Sequence, residues 1–347
     1  MTTGRARAAP KGRADTVPGR GAGAASGPPM AGEGAPPPEG ECLPPEGEGL
    51  AQEGEDLPRE REGAPPEGDD LPSERQGLEN PPPEADDLPP EDGGVTADRF
   101  LGGRFVALQP ARGHHRSGAD AILLAAAVPA TAAGRVVDFG AGVGVAGMAV
   151  AVRCPATTVT LVEIDPALAA LAVAALALPE NAGLAGRVAV VTADVTAPAA
   201  ARARAGLPRG TAETVILNPP FHVPGRVRAS PAEGRAGAHV LGPGGLDPWL
   251  RTAADLLVPG GRVAVIFPAE GLADLLAALA GRFGAVTVLP VHPRAGAPAV
   301  RVVVRAVKGR RGGLALLDRL VLHEPGANTP TPDAAAILRD GAPLPPG

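Results

Sequence analysis

Tyrosine is missing from this chain of 347 residues, and one Trp and six Phe bring the aromatic share to only 2%. A core or recognition surface built mainly on rings is therefore excluded, and an aromatic that falls inside a motif carries weight. There are only two cysteines, Cys42 and Cys154. Neither a disulfide framework nor a cysteine metal cluster is expected, which makes a reducing cytoplasm the default compartment. The longest apolar stretch, 121–134, is too short and too rich in alanine to span a bilayer. The basic N-terminus has no apolar segment behind it, so neither a membrane span nor an export signal is expected. His114 and His115 are adjacent but lack further ligands at metal-binding spacing, so no metal site is expected.

Charge is distributed unevenly. Residues 30–97 hold 20 Asp or Glu against Arg59, Arg61 and Arg75, together with 14 Pro and 11 Gly, for a charge of −17. Such a segment buries too little apolar surface to fold, and residues 1–97 are read as a disordered low-complexity tail. Leu-Pro recurs in it after acidic residues at 43, 57, 71 and 88, without enough apolar residues per unit for a solenoid. Residues 98–347 carry 24 Lys or Arg against 17 acids, a charge of +7, so the overall −6 hides a basic domain. Its roughly 250 residues suit one folded domain, and its charge is compatible with a polyanionic partner.

Beyond Asp98, β-rich runs alternate with alanine- and leucine-rich helical stretches, which predicts an α/β fold with a mainly parallel sheet. Strands are expected at 135–140, 159–165, 187–194, 214–218, 262–268, 285–291 and 299–307. Helices are expected at 117–128, 143–153, 166–177, 247–257 and 271–281. The last two strands lack a crossover helix between them, so a seven-stranded sheet with one antiparallel edge pair is predicted. The remainder, from about 310, reads as a C-terminal appendix.

Asp138-Phe-Gly140-Ala-Gly142-Val-Gly144 follows the first of these strands and opens a helix, where glycines permit a tight turn and close approach of a ligand to the backbone. A dinucleotide fingerprint would need glycine where Val145 stands, and Asp138 lies two residues before the first glycine. Both points favour an S-adenosylmethionine turn over a nicotinamide one. Glu163 closes the second strand, 19 residues after Gly144, where a carboxylate can accept both ribose hydroxyls of the cofactor. Asp165 reads as the cap of the helix opened by Pro166. Asp194 ends the third strand, either as acceptor for the cofactor's exocyclic adenine amine or as an ordinary turn residue.

Asn218-Pro219-Pro220-Phe221 ends the apolar run 214–217. The two prolines remove two N–H donors and stiffen the turn, leaving it rich in acceptors beside an aromatic face. That combination suits a planar, amino-bearing substrate. An aromatic amine delocalises its lone pair into the ring. Acceptors that bind both its hydrogens, the Asn218 side-chain oxygen and the Pro219 carbonyl, favour a pyramidal nitrogen, while Phe221 stacks on the base. Trp249, near the start of a helix, is read as core.

The glycine turn, Glu163, Asp194 and the Asn-Pro-Pro-Phe turn together resemble a class I S-adenosylmethionine-dependent methyltransferase of the kind that methylates planar amino nitrogens. The leader Phe100-Leu-Gly-Gly-Arg-Phe105, Gln109-Pro110, Arg116-Ser-Gly-Ala-Asp120 and the stretch 225–239 resemble the tRNA1(Val) adenine-37 N6-methyltransferase family, over about 98–340. This resemblance implies a Rossmann-like fold, methylation of an adenine 6-amino group in RNA, most naturally transfer RNA, and a segment around Arg116 and Asp120 that folds over the methionine end of the cofactor. Asp120 as a helix-start residue fits equally well. Arg226, Arg228 and Arg235, with His222 and His239, follow the reactive turn and suit phosphates around a flipped base. A second basic cluster, Arg305, Lys308, Arg310 and Arg311, would extend that surface. The rival readings are a guanine N2-methyltransferase of ribosomal RNA, a DNA adenine methyltransferase, a protein-glutamine methyltransferase, and a catalytically inactive fold that binds RNA.

Overall fold

A computed structural model describes residues 94–111, 117–220 and 244–346. Among them, nine strands form one sheet in the order β10-β8-β9-β7-β6-β3-β4-β5, with β11 also paired to β8. The strands are β3 (Gly134–Phe139), β4 (Thr157–Glu163), β5 (Val188–Thr192), β6 (Ala212–Leu217), β7 (Leu257–Pro268), β8 (Phe283–Arg294), β9 (Arg301–Lys308), β10 (Leu314–Leu316) and β11 (Leu320–His323). The pairs β3–β4, β4–β5, β3–β6 and β6–β7 are parallel. β9 runs antiparallel to both β7 and β8. The Rossmann-like α/β class is as expected, and alternation along the strands explains it. In β3, Val136 joins one core and Val137 and Phe139 the other. The first core lies under α1 (Ala119–Ala126), α2 (Val145–Arg153), α3 (Pro166–Leu176) and α7 (Pro332–Leu338). The second lies under α5 (Asp247–Leu256) and α6 (Leu272–Leu279).

Three boundaries differ from the sequence-based expectation. The sheet has nine strands rather than seven; the antiparallel pair β8–β9 forms toward one edge as expected, with β9 next to β7, and two further short strands lie beyond it. β8 keeps an open side, which β10 and β11 cover by parallel pairing. The segment after 310 is therefore not an appendix. It buries Leu320, Ile337 and Leu344, packs α7 on α1, and returns the Leu344 N–H to the Ala126 carbonyl at 2.9 Å. Arg153 holds the same corner, donating Nε to the Gly341 carbonyl at 2.8 Å and Nη1 to Val128 at 3.1 Å. Finally, the folded part begins before residue 98. Val95–Phe100 (β1) pairs antiparallel with Phe105–Pro110 (β2) in a hairpin. The intervening Leu101, Gly102 and Gly103 all have positive φ, and Phe100 stacks on Phe105 with centroids 5.4 Å apart.

That hairpin is fastened to the domain by a buried carboxamide. Asn181 accepts the Val106 N–H at 2.9 Å and donates to the carbonyls of Val106 at 2.7 Å and Ala175 at 2.6 Å. Asn181→Ala leaves both backbone groups of Val106 without that partner, at ~1–3 kcal/mol for each unsatisfied group. Urea unfolding should read a loss of ~2–4 kcal/mol. Among the described residues, no helix is long and apolar enough to cross a membrane.

Candidate active site

Strand order reverses at β3, where β4 and β5 lie to one side and β6 and β7 to the other. Ligands of open α/β sheets bind at the carboxyl ends of the strands at such a switch point. Register then brings the two sequence motifs together. Phe139 pairs with Leu217, so Gly140, which opens the glycine turn, and Asn218, which opens the Asn-Pro-Pro turn, leave adjacent strands at the same level. Asn218 is half-buried and Pro219 buried.

The glycines of the turn differ in what they do. Gly144 caps α2 at φ 85°, and a Cβ there would sit 2.5 Å from Leu161 Cδ1, so helix–sheet packing excludes any side chain. Gly142, at φ 57°, would meet nothing within 4 Å and so borders open space. Gly140 lies under Trp249, whose Cη2 is 3.1 Å from the position a Cβ would take. Trp249 is thus half-buried core, as expected, but it also walls the cofactor turn from the α5 side.

Glu163 is buried and engaged on both oxygens. Oε2 accepts the Gly142 N–H at 2.7 Å, and Oε1 accepts those of Ile164 and Asp165 at 2.9 Å each. About four acceptor positions exist on a carboxylate, so roughly one remains for a ligand hydroxyl without disturbing the turn. Glu163 therefore shapes the glycine turn as well as facing it. Ile164, next in sequence, is 59% exposed although apolar. In the sequence, Ile164 is marked only by its adjacency to Glu163 and Trp249 only by the rarity of Trp.

Asp138 points inward. Its Oδ2 accepts the Gly147 N–H at 2.9 Å in the first turn of α2, and it is 2% exposed. Burial raises its carboxyl to about 7, a shift opposed by the Gly147 hydrogen bond and reinforced by the nearby Glu163 charge. Asp165 caps α3 as expected, accepting the Ala167 N–H at 2.8 Å. Asp194 is exposed, and its Oδ1 accepts the Thr196 N–H and hydroxyl at 2.7 Å each, the geometry of a turn. Asp120 lies in the first turn of α1, a helix-start position, but it is not the cap. Gly118 is the N-cap of α1, and the Asp120 carboxylate pairs with Arg301 Nε at 2.8 Å.

Phe221, Arg116, Arg226, Arg228 and Arg235, with His114, His115, His222 and His239, lie outside the described residues. The second basic cluster does not form one surface. Arg305 and Lys308 lie on opposite faces of β9 by alternation. Arg305 donates to Thr287 Oγ1 at 3.2 Å and to Pro345 at 2.8 Å, whereas Lys308 donates to the Leu257 carbonyl at 2.6 Å. Among the described residues, no group of three or more His, Cys, Asp or Glu is placed to hold a metal ion.

The open space at Gly142, the spare acceptor position on Glu163 and the uncovered Ile164 side chain fit a nucleoside-bearing cofactor such as S-adenosylmethionine. Comparison with known proteins agrees. The family described as methyltransferase small domain matches residues 111–291. The tRNA1(Val) (adenine(37)-N6)-methyltransferase of Aeromonas hydrophila is 34% identical over 200 residues, covering 55% of this chain and 76% of the relative. A crystal structure from Agrobacterium tumefaciens, of a protein described as a predicted O-methyltransferase, superposes with a TM-score of 0.56 at 37% identity, covering 65% of this chain and 98% of the other.

Proposed function

The chain belongs to the methyltransferase small domain family, with S-adenosylmethionine as its methyl donor, and from that premise we propose that it methylates the 6-amino group of an adenine in RNA, a transfer RNA above all. The observation that carries this reading is the register of Phe139 with Leu217, from which the glycine turn and Asn218-Pro219-Pro220 emerge side by side. When bound, the cofactor supplies a sulfonium-activated methyl group and a neutral thioether leaving group. The work left to the protein is positioning and holding two hydrogens.

Asn218 and the Pro219 carbonyl accept the two amino hydrogens in this reading, and Phe221 stacks on the base. Asn218 is neutral, so no general base is assigned, and the proton leaves to solvent after transfer. Glu163 and Asp194 take the ribose and adenine ends of the cofactor, with Ile164 and Trp249 as apolar walls. Asp138 holds α2 against the turn, acting through Gly147. Asp120 and Arg116 border the methionine end. Arg226, Arg228 and Arg235 grip phosphates around the entering nucleotide. The activity named for the Aeromonas relative, adenine N6 methylation of a transfer RNA, supports adenine over guanine and RNA over protein. Nucleoside mass spectrometry of transfer RNA from a strain lacking the gene should lose a 6-methyladenosine signal. An unchanged nucleoside profile would overturn the transfer-RNA assignment.

A further inference from the structure

On the face of the sheet under α5, outside the crevice, lies a groove of about 770 Å³ between α5 and α4 (Ala199–Arg204). Its chemistry is cationic. Asp255 holds Arg202 at 2.5 Å and also Arg209, while Asp247 holds Arg282 at 2.8 Å and also Arg251. Lys308 adds an ammonium group that, among the described residues, donates to the Leu257 backbone carbonyl and pairs with no carboxylate. Four guanidiniums and one ammonium against two carboxylates leave three formal positive charges unanswered.

The arginines divide into two kinds. Arg202 is buried, with a side chain 8% exposed and an Nε that has no hydrogen-bond partner among the described residues, and it shares Asp255 with Arg209. Its charge is incompletely neutralised in a region of weak screening. Arg209 and Arg251 are 76% and 67% exposed, and each is steadied by a carboxylate while other N–H groups face solvent. Pre-oriented forks of this kind suit the bidentate geometry of a phosphate. The groove begins at Thr196, in the loop after β5 and hydrogen-bonded twice to Asp194, and runs along the sheet toward Arg209, before β6, and Lys308, at the end of β9.

We propose that this groove docks the sugar-phosphate backbone of the RNA, holding the strand that flanks the nucleotide in the crevice. The inference rests on the RNA reading above. The chain's own acidic segment 30–97 is the rival polyanion, but its carboxylates are spread among Pro and Gly. A groove that begins in the loop of Asp194 and runs along the sheet favours the polymer that must enter the crevice. Contacts here are to phosphate, so they add affinity without reading sequence.

The test uses the full chain, bulk transfer RNA as probe, and Arg209→Glu/Arg251→Glu beside Arg209→Gln/Arg251→Gln. Binding is measured by fluorescence anisotropy from about 50 to 200 mM salt, where each phosphate contact contributes ~0.7–0.9 to the slope of log affinity against log salt. The Glu pair should weaken RNA binding at least ~10-fold at the low-salt end and flatten the slope by ~1.5, the Gln pair should fall between, and calorimetry should give S-adenosylmethionine affinity within about twofold of the parent. Unchanged RNA affinity in both pairs overturns the proposal. Tightened affinity overturns it too, and gives the groove to the acidic tail. Joint loss of cofactor and RNA binding makes the arginines structural and also overturns it. Failure of the RNA reading itself is distinguishable, because the unsubstituted protein would then transfer no methyl group to RNA.

Discussion

Asn218→Ala is expected to reduce methyl transfer by ~10²–10³-fold or more while S-adenosylmethionine affinity stays within about twofold, the size of effect seen when one preorganised polar group is removed from a reacting centre. The substrate amine is a poor nucleophile because its lone pair belongs to the ring, and the neutral Asn218 can act only by fixing its hydrogens. Backbone register delivers Asn218 to that position, since the half-buried residue follows Leu217 on β6, beside Phe139 and the glycine turn. Asn218→Asp keeps an acceptor and should recover part of the lost rate, separating loss of the acceptor from loss of packing. Single-turnover kinetics with calorimetry reads both quantities. A parallel fall in cofactor affinity would make the turn structural rather than catalytic.

The second large effect concerns pH. Asp138 is buried, and its carboxyl is raised to about 7 from an ordinary value of 3.8. The folded state therefore holds a proton that the unfolded chain has already released. Stability from this group is complete below 3.8 and is lost as pH rises through about 7. Between pH 5 and pH 8 the loss amounts to roughly 2–3 kcal/mol, at 1.36 kcal/mol per unit. Asp138→Asn keeps an acceptor for the Gly147 N–H and removes the titration. Urea unfolding of the two proteins across that range should give curves that separate as pH rises, the parent losing more. Parallel curves would mean that Asp138 does not carry a proton in the folded state.

Several parts of this molecule were legible in the sequence because they depend on local chemistry. The glycine turn, the Asp165 cap and the strand ends at Glu163 and Asn218 each follow from residue type and short spacing. What was not legible depends on pairing across distance. The hairpin of β1 and β2 needs Asn181, about 75 residues away, to hold it. β10 and β11 are apolar but only three and four residues long, too short to show a strand period, and they become strands because β8 offers an open side. Arg305 and Lys308 look like one cluster in the sequence until β9 turns them to opposite faces. Conversely, Arg202, Arg209, Arg251 and Arg282 are scattered along the chain, and only the fold gathers them around Asp247 and Asp255. Glu163 is expected to face a ligand, but its grip on Gly142, 21 residues earlier, arises only when the fold brings strand end and turn together.

The central claim, transfer to an adenine amine in RNA, is tested most directly by incubating the purified full chain with methyl-labelled S-adenosylmethionine and total RNA, then digesting the RNA and identifying the labelled nucleoside. The account predicts label in 6-methyladenosine, concentrated in the transfer-RNA fraction. Label in N2-methylguanosine, label in a protein glutamine when protein extract is supplied, or no transfer to RNA at all would contradict it.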